Sequence, residues 1–359
     1  MSRLLVTALI LLGVLAPAAA SAAAAPVWQQ QAMVPVIASV DGTAALQAGI
    51  DATPDGGTLT LEAGASYRID GTLLIRDRNG FTLDGNGATI YAITEGDRVR
   101  QHLSIANGSN IKVANLTVLG ANPYAGTSDA AYRSTREAQH AFQVLGTDTV
   151  ELDRVRAYDV FGDHVYIGMS YAGLTPANVW VHDSTFARNG RMGVGLTAGR
   201  NVVFERNSIS AIRRSTFDLE PNNMSQVVDG LVIRDNVIGT GRFFFLASVG
   251  NGPVNNVTVE NNVFRGKAMK VFVQPPSYTG RRTGWTMTGN TSDAIYGGST
   301  ASAVFGFFGV DNITVTGNYQ KVQVNRSIVG VNTHDGCGVT VSGNQFPNAV
   351  AELAPTAGC

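Results

Sequence analysis

The chain has 359 residues, a formal charge of −1 and positive charge carried mainly by arginine, with no basic run. A near-neutral chain without a basic stripe gives no support to nucleic-acid binding. Two cysteines, Cys337 and Cys359, are too few for a disulfide scaffold, and neither has a His or Cys neighbour at metal-site spacing.

Residues 1–25 combine Arg3, an apolar run from Leu4 to Leu15 and small residues offering A-x-A cleavage. That pattern is a secretory signal, and the apolar run is too short to span a bilayer. The expectation is an exported chain, extracellular or periplasmic, with residues 26–359 as one domain and no membrane contact once the signal is removed. In an oxidising compartment Cys337 and Cys359 are expected to bridge, pinning the tail over the open end of the domain.

Residues 43–52, TAALQAGIDA, carry apolar residues at helical spacing and lead into PDGG and the strand TLTLEAGASYRI. A short helix there would cover the exposed core of the first structural unit.

From Phe81 onward one line recurs, clearest as NNVTVENNVF at Asn255 to Phe264. Copies start at Phe81, Ile111, Val150, Val179, Val202, Leu231, Val257, Trp285, Ile313 and Val339, at intervals of 23 to 39 residues. Five residues after each start stand Asn86, Leu116, Val155, Ser184, Asn207, Asn236, Asn262, Asn290, Asn318 and Asn344, seven of them asparagine. The period is too long for a hairpin and suits a solenoid in which each copy is one coil. Alternating β-branched residues make each copy a strand whose apolar face is buried only by stacking on the next, about 4.8 Å away. Asparagine is expected at the bend because it tolerates left-handed backbone angles and its amide can hydrogen-bond up the stack. The fold class is therefore all-β: a single-stranded parallel β-helix of about ten coils with an N-terminal capping helix.

The form ALQ-x-x-I-D-A, then GG-T-L-x-L-x-AG-x-Y-R-I, then stacked N-x-T-V-x-x-N lines resembles the pectate-lyase-like superfamily of right-handed parallel β-helices over about Asp41 to Phe346. The resemblance implies a right-handed coil and carbohydrate chemistry, in a group whose members include lyases, hydrolases, epimerases and non-catalytic binders. The polygalacturonase pattern of paired aspartates with G-H-G and R-I-K is absent. FDLEPNN resembles the F-D-P-H site of mannuronan epimerases at Asp218 alone, so no catalytic role is transferred.

Chemistry is sought in the strand before each copy, whose outward side chains stack into one face. With alternate apolar residues inward, the expected outward column is Gln143, Tyr166, Gly193, Asp218, Phe245, Lys270 and Phe305, with His164, Arg191, Gly195 and Glu220 beside it. In STFDLEPNN, Asp218 and Glu220 are two apart on a strand and share a face with α-carbons about 6.5–7 Å apart. Carboxyls that close cannot both ionise freely, which is the acid/base pair glycoside hydrolysis needs. Gly193 and Gly195 would floor a sugar site, and Asn222 and Asn223 offer amides to hydroxyl groups. The alternatives are a solvated strand face paired to Arg191, Arg213 or Arg214, and a Ca²⁺ site.

His164, oriented by Asp163, is a third catalytic candidate beside Tyr166. Lys270 lies on the far side, and Arg191, Arg213 and Arg242 are candidates for an anionic sugar. The insertion Ala121 to Gln139, with Tyr124, Tyr132, Arg133 and Arg136, and the loop with Tyr278, Arg281 and Arg282 are expected to wall the cleft, and Phe243 and Phe245 to continue a platform. The reading is a monomeric glycoside hydrolase on a polysaccharide or oligosaccharide. Glu220 is its general acid and Asp218 its base or nucleophile, with inversion favoured by spacing. It requires no cofactor and admits Ca²⁺. Two other readings stand beside it. One is a lyase or C5-epimerase on a uronic-acid polymer, with His164, Tyr166 or Lys270 as base. The other is a non-catalytic glycan-binding surface protein.

Overall fold

Each repeat line forms a strand because its alternate residues are apolar, and in the computed structural model those residues point into one core. The structure describes residues 40–276, 280–298 and 302–354, all within one unit, Val36–Cys359. The signal segment 1–25, Tyr278 and the expected bridge partner Cys359 lie outside the described residues. Three parallel sheets of 11, 10 and 11 strands result, here called A, B and C, and the chain visits them in that order once per coil. Sheet A holds the repeat copies. Val257 pairs with Trp285 and Val259 with Met287, all four buried, while Thr258 between them faces out. Sheet A starts one coil earlier than the first copy, with Thr58–Thr60 pairing to Thr82–Asp84.

The helix α1, Thr43–Ala52, buries Leu46 and Ile50 in that core. Its Gln47 amide donates to the carbonyl of Leu74 and accepts from the Leu74 N–H, at 2.9 and 2.8 Å. A side chain thus satisfies backbone groups on the first strand of sheet C, Leu73–Arg76. Among the described residues no helix is long and apolar enough to cross a membrane.

The bend from sheet A to sheet B corrects one expectation. Of the seven asparagines, only Asn86 has a left-handed φ. In the other six coils the left-handed residue is the one before, Arg206, Asp235, Asn261, Gly289, Gly317 and Gly343. The asparagine that follows turns inward and bonds along the stack. Asn262 Nδ2 donates to Asn290 Oδ1 at 2.9 Å and to the carbonyl of Ile233 one coil below. Its own Oδ1 accepts the backbone N–H and the Nδ2 of Asn236 at 3.0 and 2.9 Å. The same bonds recur through Asn290, Asn318 and Asn344. Ser184 ends the ladder below Asn207, and Val155 and Leu116 continue it as buried apolar side chains.

Asn262→Ala would orphan two buried donors on Asn236 and one acceptor below, at roughly 1–3 kcal/mol per group. Urea unfolding should show a loss of about 2–5 kcal/mol. Asn86→Gly removes one long 3.3 Å bond from an exposed side chain and keeps the left-handed angle, so it should cost less than about 1 kcal/mol.

Candidate active site

Register on sheet C decides which side chains share the outer face. Phe217 and Leu219 point inward and are fully buried, which turns Asp218 between them outward. Asp218 pairs with Gly195 on one side and Ala247 on the other. Gly195 pairs with Tyr166, Tyr166 with Gln143, Ala247 with Phe272, and Phe272 with Gly306. The column is therefore Gln143, Tyr166, Gly195, Asp218, Ala247, Phe272, Gly306. Gly193, Phe245, Lys270 and Phe305 were expected at four of these places and do not occupy them. Phe245 and Phe305 are core residues. Lys270 sits before its strand with its ammonium 4.5 Å from the centre of the Phe244 ring, and burial lowers its pKa.

One arginine organises the centre of this face. Arg191 Nη1 lies 2.8 Å from Asp163 Oδ2, Nη2 lies 3.3 Å from Glu220 Oε2, and Nε lies 3.7 Å from Glu137 Oε2. Asp163 is completely buried, and its other oxygen accepts the N–H of Met192 at 2.9 Å. Burial pushes its carboxyl up, with Arg191 pulling the other way, and the Asp163 charge in turn holds Arg191 protonated. Gly195 is glycine because of this carboxylate: a Cβ there would stand 2.6 Å from Asp163 Oδ2. A Cβ on Gly193 would meet the carbonyl of Thr216 at 2.5 Å. The two glycines accommodate the protein itself and do not floor an open sugar site.

Asp218 and Glu220 differ sharply in surroundings. Asp218 is 5% exposed, and its Oδ1 is buried with no partner. Burial, followed by the charge of Glu220, pushes its carboxyl up to about 7. The Glu220 side chain is 37% exposed and shares the guanidinium of Arg191. Asp218 is therefore the carboxyl whose pKa is raised, and Glu220 is the one paired to a cation.

His164 is corrected. It is fully buried beside Phe186, and burial depresses its pKa to about 3. The histidine on the face is His140, which sequence reasoning missed. Its Nδ1 accepts the Asp163 N–H at 3.1 Å, and its ring stacks on Tyr166 at 4.7 Å and 11°. Burial, reinforced by Arg191, keeps it neutral with a pKa near 3. The Tyr166 hydroxyl bonds Thr197 Oγ1 at 3.1 Å, and burial raises its pKa. His140 directly follows the insertion Ala121 to Gln139; its signal was position, three residues before the outward Gln143.

Along the first coils this face is open as a groove of about 950 Å³, lined by Ser104, Gln143, Tyr166, His140, Glu137 and Arg191 among others. The charge cluster closes one end. Other expected residues lie elsewhere. Arg213 and Arg242 both bind Asp129 of the insertion, and Arg213 packs between the Tyr132 and Phe243 rings. They fasten the insertion, which contributes Glu137 rather than its aromatics. Asn223 caps its own loop through Ser225, and the Asn222 N–H bonds Gln226. Arg282 is buried and donates to the carbonyls of Ser248 and Gly250, while Arg281 pairs with Asp311 and Asp335.

Among the described residues one set stands at metal-ligand distances, Glu151, Asp153 and His182 on sheet A. Lys112 and Arg154 already pair its carboxylates.

The model of a family described as right handed beta helix region matches residues 101–291. No curated protein sequence matches the chain. Among solved structures the chain resembles an alginate lyase from Paenibacillus sp. str. FPU-7, with a TM-score of 0.52 at 13% identity over 87% of this chain and 97% of that one. It also resembles a family 28 exopolygalacturonase of Yersinia enterocolitica, TM-score 0.60 at 12% identity over 89% and 74%. A third is the tailspike of E. coli bacteriophage HK620, TM-score 0.61 at 14% identity over 91% and 62%. At such identities the likeness is one of fold.

A carboxyl whose folded pKa lies above its unfolded value stabilises the fold only while protonated. Its contribution is full below about pH 4 and is lost as pH rises towards about 7. Asp218→Asn removes that loss. Denaturant unfolding should show the variant gaining on the wild type by about 2–3 kcal/mol between pH 5 and pH 8. A constant gap would mean that Asp218 titrates normally.

Proposed function

Since the chain belongs to the right-handed β-helix family, we propose that it hydrolyses glycosidic bonds of a neutral polysaccharide, with Asp218 as general acid and Glu220 as base. The observation that carries this reading is the carboxyl of Asp218, unpartnered at Oδ1 and raised to about 7, beside a Glu220 stabilised by Arg191. A general acid must hold its proton at working pH, which the raised carboxyl of Asp218 supports, and a base must be free of one, a role given to Glu220 for its exposure and its contact with Arg191. In the reaction Asp218 gives its proton to the glycosidic oxygen as the C–O bond breaks. Glu220 takes a proton from the water that adds to the sugar carbon. One water is consumed, and one new reducing end and one new hydroxyl form.

Elimination or epimerisation on a uronic-acid polymer is the second reading, favoured by the stacked Tyr166 and His140 in the groove wall. Such chemistry needs a cation free to neutralise the substrate carboxylate. Arg191 is shared among Asp163, Glu220 and Glu137, so the surroundings repel rather than attract a further anion. Neutral substrate and hydrolysis fit this balance better. Export by way of residues 1–25, with Cys337 and Cys359 bridged outside the cell, belongs to the same reading.

Purified protein incubated with neutral and acidic polysaccharides should release reducing ends from a neutral polymer without forming an ultraviolet-absorbing unsaturated end. Asp218→Asn and Glu220→Gln should each lower kcat by about 10²–10⁴. The rate should fall as pH rises past about 7, where Asp218 loses its proton. An unsaturated product, or full activity in both variants, would refute the assignment.

A further inference from the structure

Beyond Asp218 the outer face of sheet C changes character. Phe244, Phe272, Phe308 and His334 come from four successive coils and form one ladder, with ring centres 5.5, 5.8 and 5.1 Å apart. None of the three phenylalanines belongs to the core; each is half-buried, and His334 is exposed. Phe272 stands in the same column as Asp218, two coils on, about 10 Å along the axis. The residue between them is Ala247, and the residue after Phe272 is Gly306, so small side chains flank the ring on both sides. A Cβ on Gly306 would touch both Phe272 and Phe308, at 3.8 and 3.7 Å. Lys270 covers the Phe244 ring at 4.5 Å. The stripe is therefore one ring wide, with a cation over its first ring and Phe272 partly exposed between its ring neighbours.

We infer that this ladder is a binding rail for an extended glycan chain whose scissile bond lies at Asp218, with Phe272 and Phe308 stacking on the apolar faces of sugar rings. The inference rests on the hydrolytic reading for the identity of its ligand, a neutral saccharide chain. Three features fix the occupant. The ladder is continuous with the Asp218 column, so a chain bound at the carboxyls runs onto it. Its rings recur at the coil spacing, which suits a polymer of ring units. A stripe one ring wide is far short of the roughly 800 Å² per partner that a specific protein interface buries. Groove and ladder thus lie on opposite sides of the charge cluster, and a substrate would cross from hydrogen-bonding groups at Gln143 and Ser104 to stacking groups at Phe272 and Phe308.

The test is affinity electrophoresis of full-length Asp218→Asn protein through gels containing galactomannan, xylan or hydroxyethylcellulose, with alginate as the acidic comparison. The parent should be retarded by at least one neutral polymer. Adding Phe272→Ala or Phe308→Ala should raise the apparent Kd about tenfold, and Phe272→Tyr should restore it. Unchanged thermal melting of the variants excludes a folding defect. The rail is overturned if no neutral gel retards the parent, or if both alanine variants migrate as the parent does. It is also overturned if Phe272→Ala instead abolishes concentration-dependent self-association seen by sedimentation, which would assign the ladder to a second copy of the chain. Turnover by the Asp218→Asn protein would refute the hydrolytic reading alone, since retardation that depends on Phe272 would still stand.

Discussion

A buried asparagine amide has two donors and an acceptor to satisfy, and in this chain the neighbouring coils above and below supply most of the partners. Asn236, Asn262, Asn290 and Asn318 each bond the asparagine above and a carbonyl of the coil below. Slipping one coil by one residue would orphan several buried groups together, so the register is enforced at a single corner. Everything on sheet C inherits that register. Tyr166, Gly195, Asp218, Ala247 and Phe272 form one column because the coils cannot slide. A left-handed residue just before each amide turns the chain, which leaves the amide free to point inward.

Around Arg191 and Asp218, desolvation and charge pairing compete, and the balance differs at each carboxyl. Asp163 is wholly buried but has Arg191 at 2.8 Å and a backbone N–H. Glu220 has the other edge of the same guanidinium and access to water. Asp218 has neither a cation in contact nor a donor for Oδ1, so neutralising itself with a proton is its least costly state. One arginine is thus shared among three carboxylates, while Asp218 beside them has no cation in contact. The same crowding leaves that arginine no capacity for a substrate anion.

The solenoid was legible because seven asparagines at a fixed offset repeat a physical requirement. The outward face of Asp218 was legible too, since Phe217 and Leu219 alternate cleanly around it. The parity of RFFFLASVG was not: three phenylalanines and a leucine in a row carry no alternation, and the strand begins only at Leu246. Phe245 was displaced for this reason, whereas Lys270 has the parity of Phe272 and missed the column by two residues of register. His164 was placed outside because it precedes Val165 in a strand-like run, but the chain is still turning there and its ring faces Phe186. Glu137 reaches the site from the insertion and His140 from the residue just after it, a path no periodicity describes. Residue spacing says nothing of which carboxyl loses water, so the burial of Asp218 and the exposure of Glu220 were not legible.

The proposed hydrolysis depends on Asp218 keeping its proton at neutral pH. Infrared difference titration of the wild type against Asp218→Asn isolates that carboxyl directly. A protonated carboxyl band lost with a midpoint near pH 7, and shifted to lower pH by Glu220→Gln, is the expected result. Loss of the band near pH 4, unaffected by Glu220→Gln, would contradict the assignment.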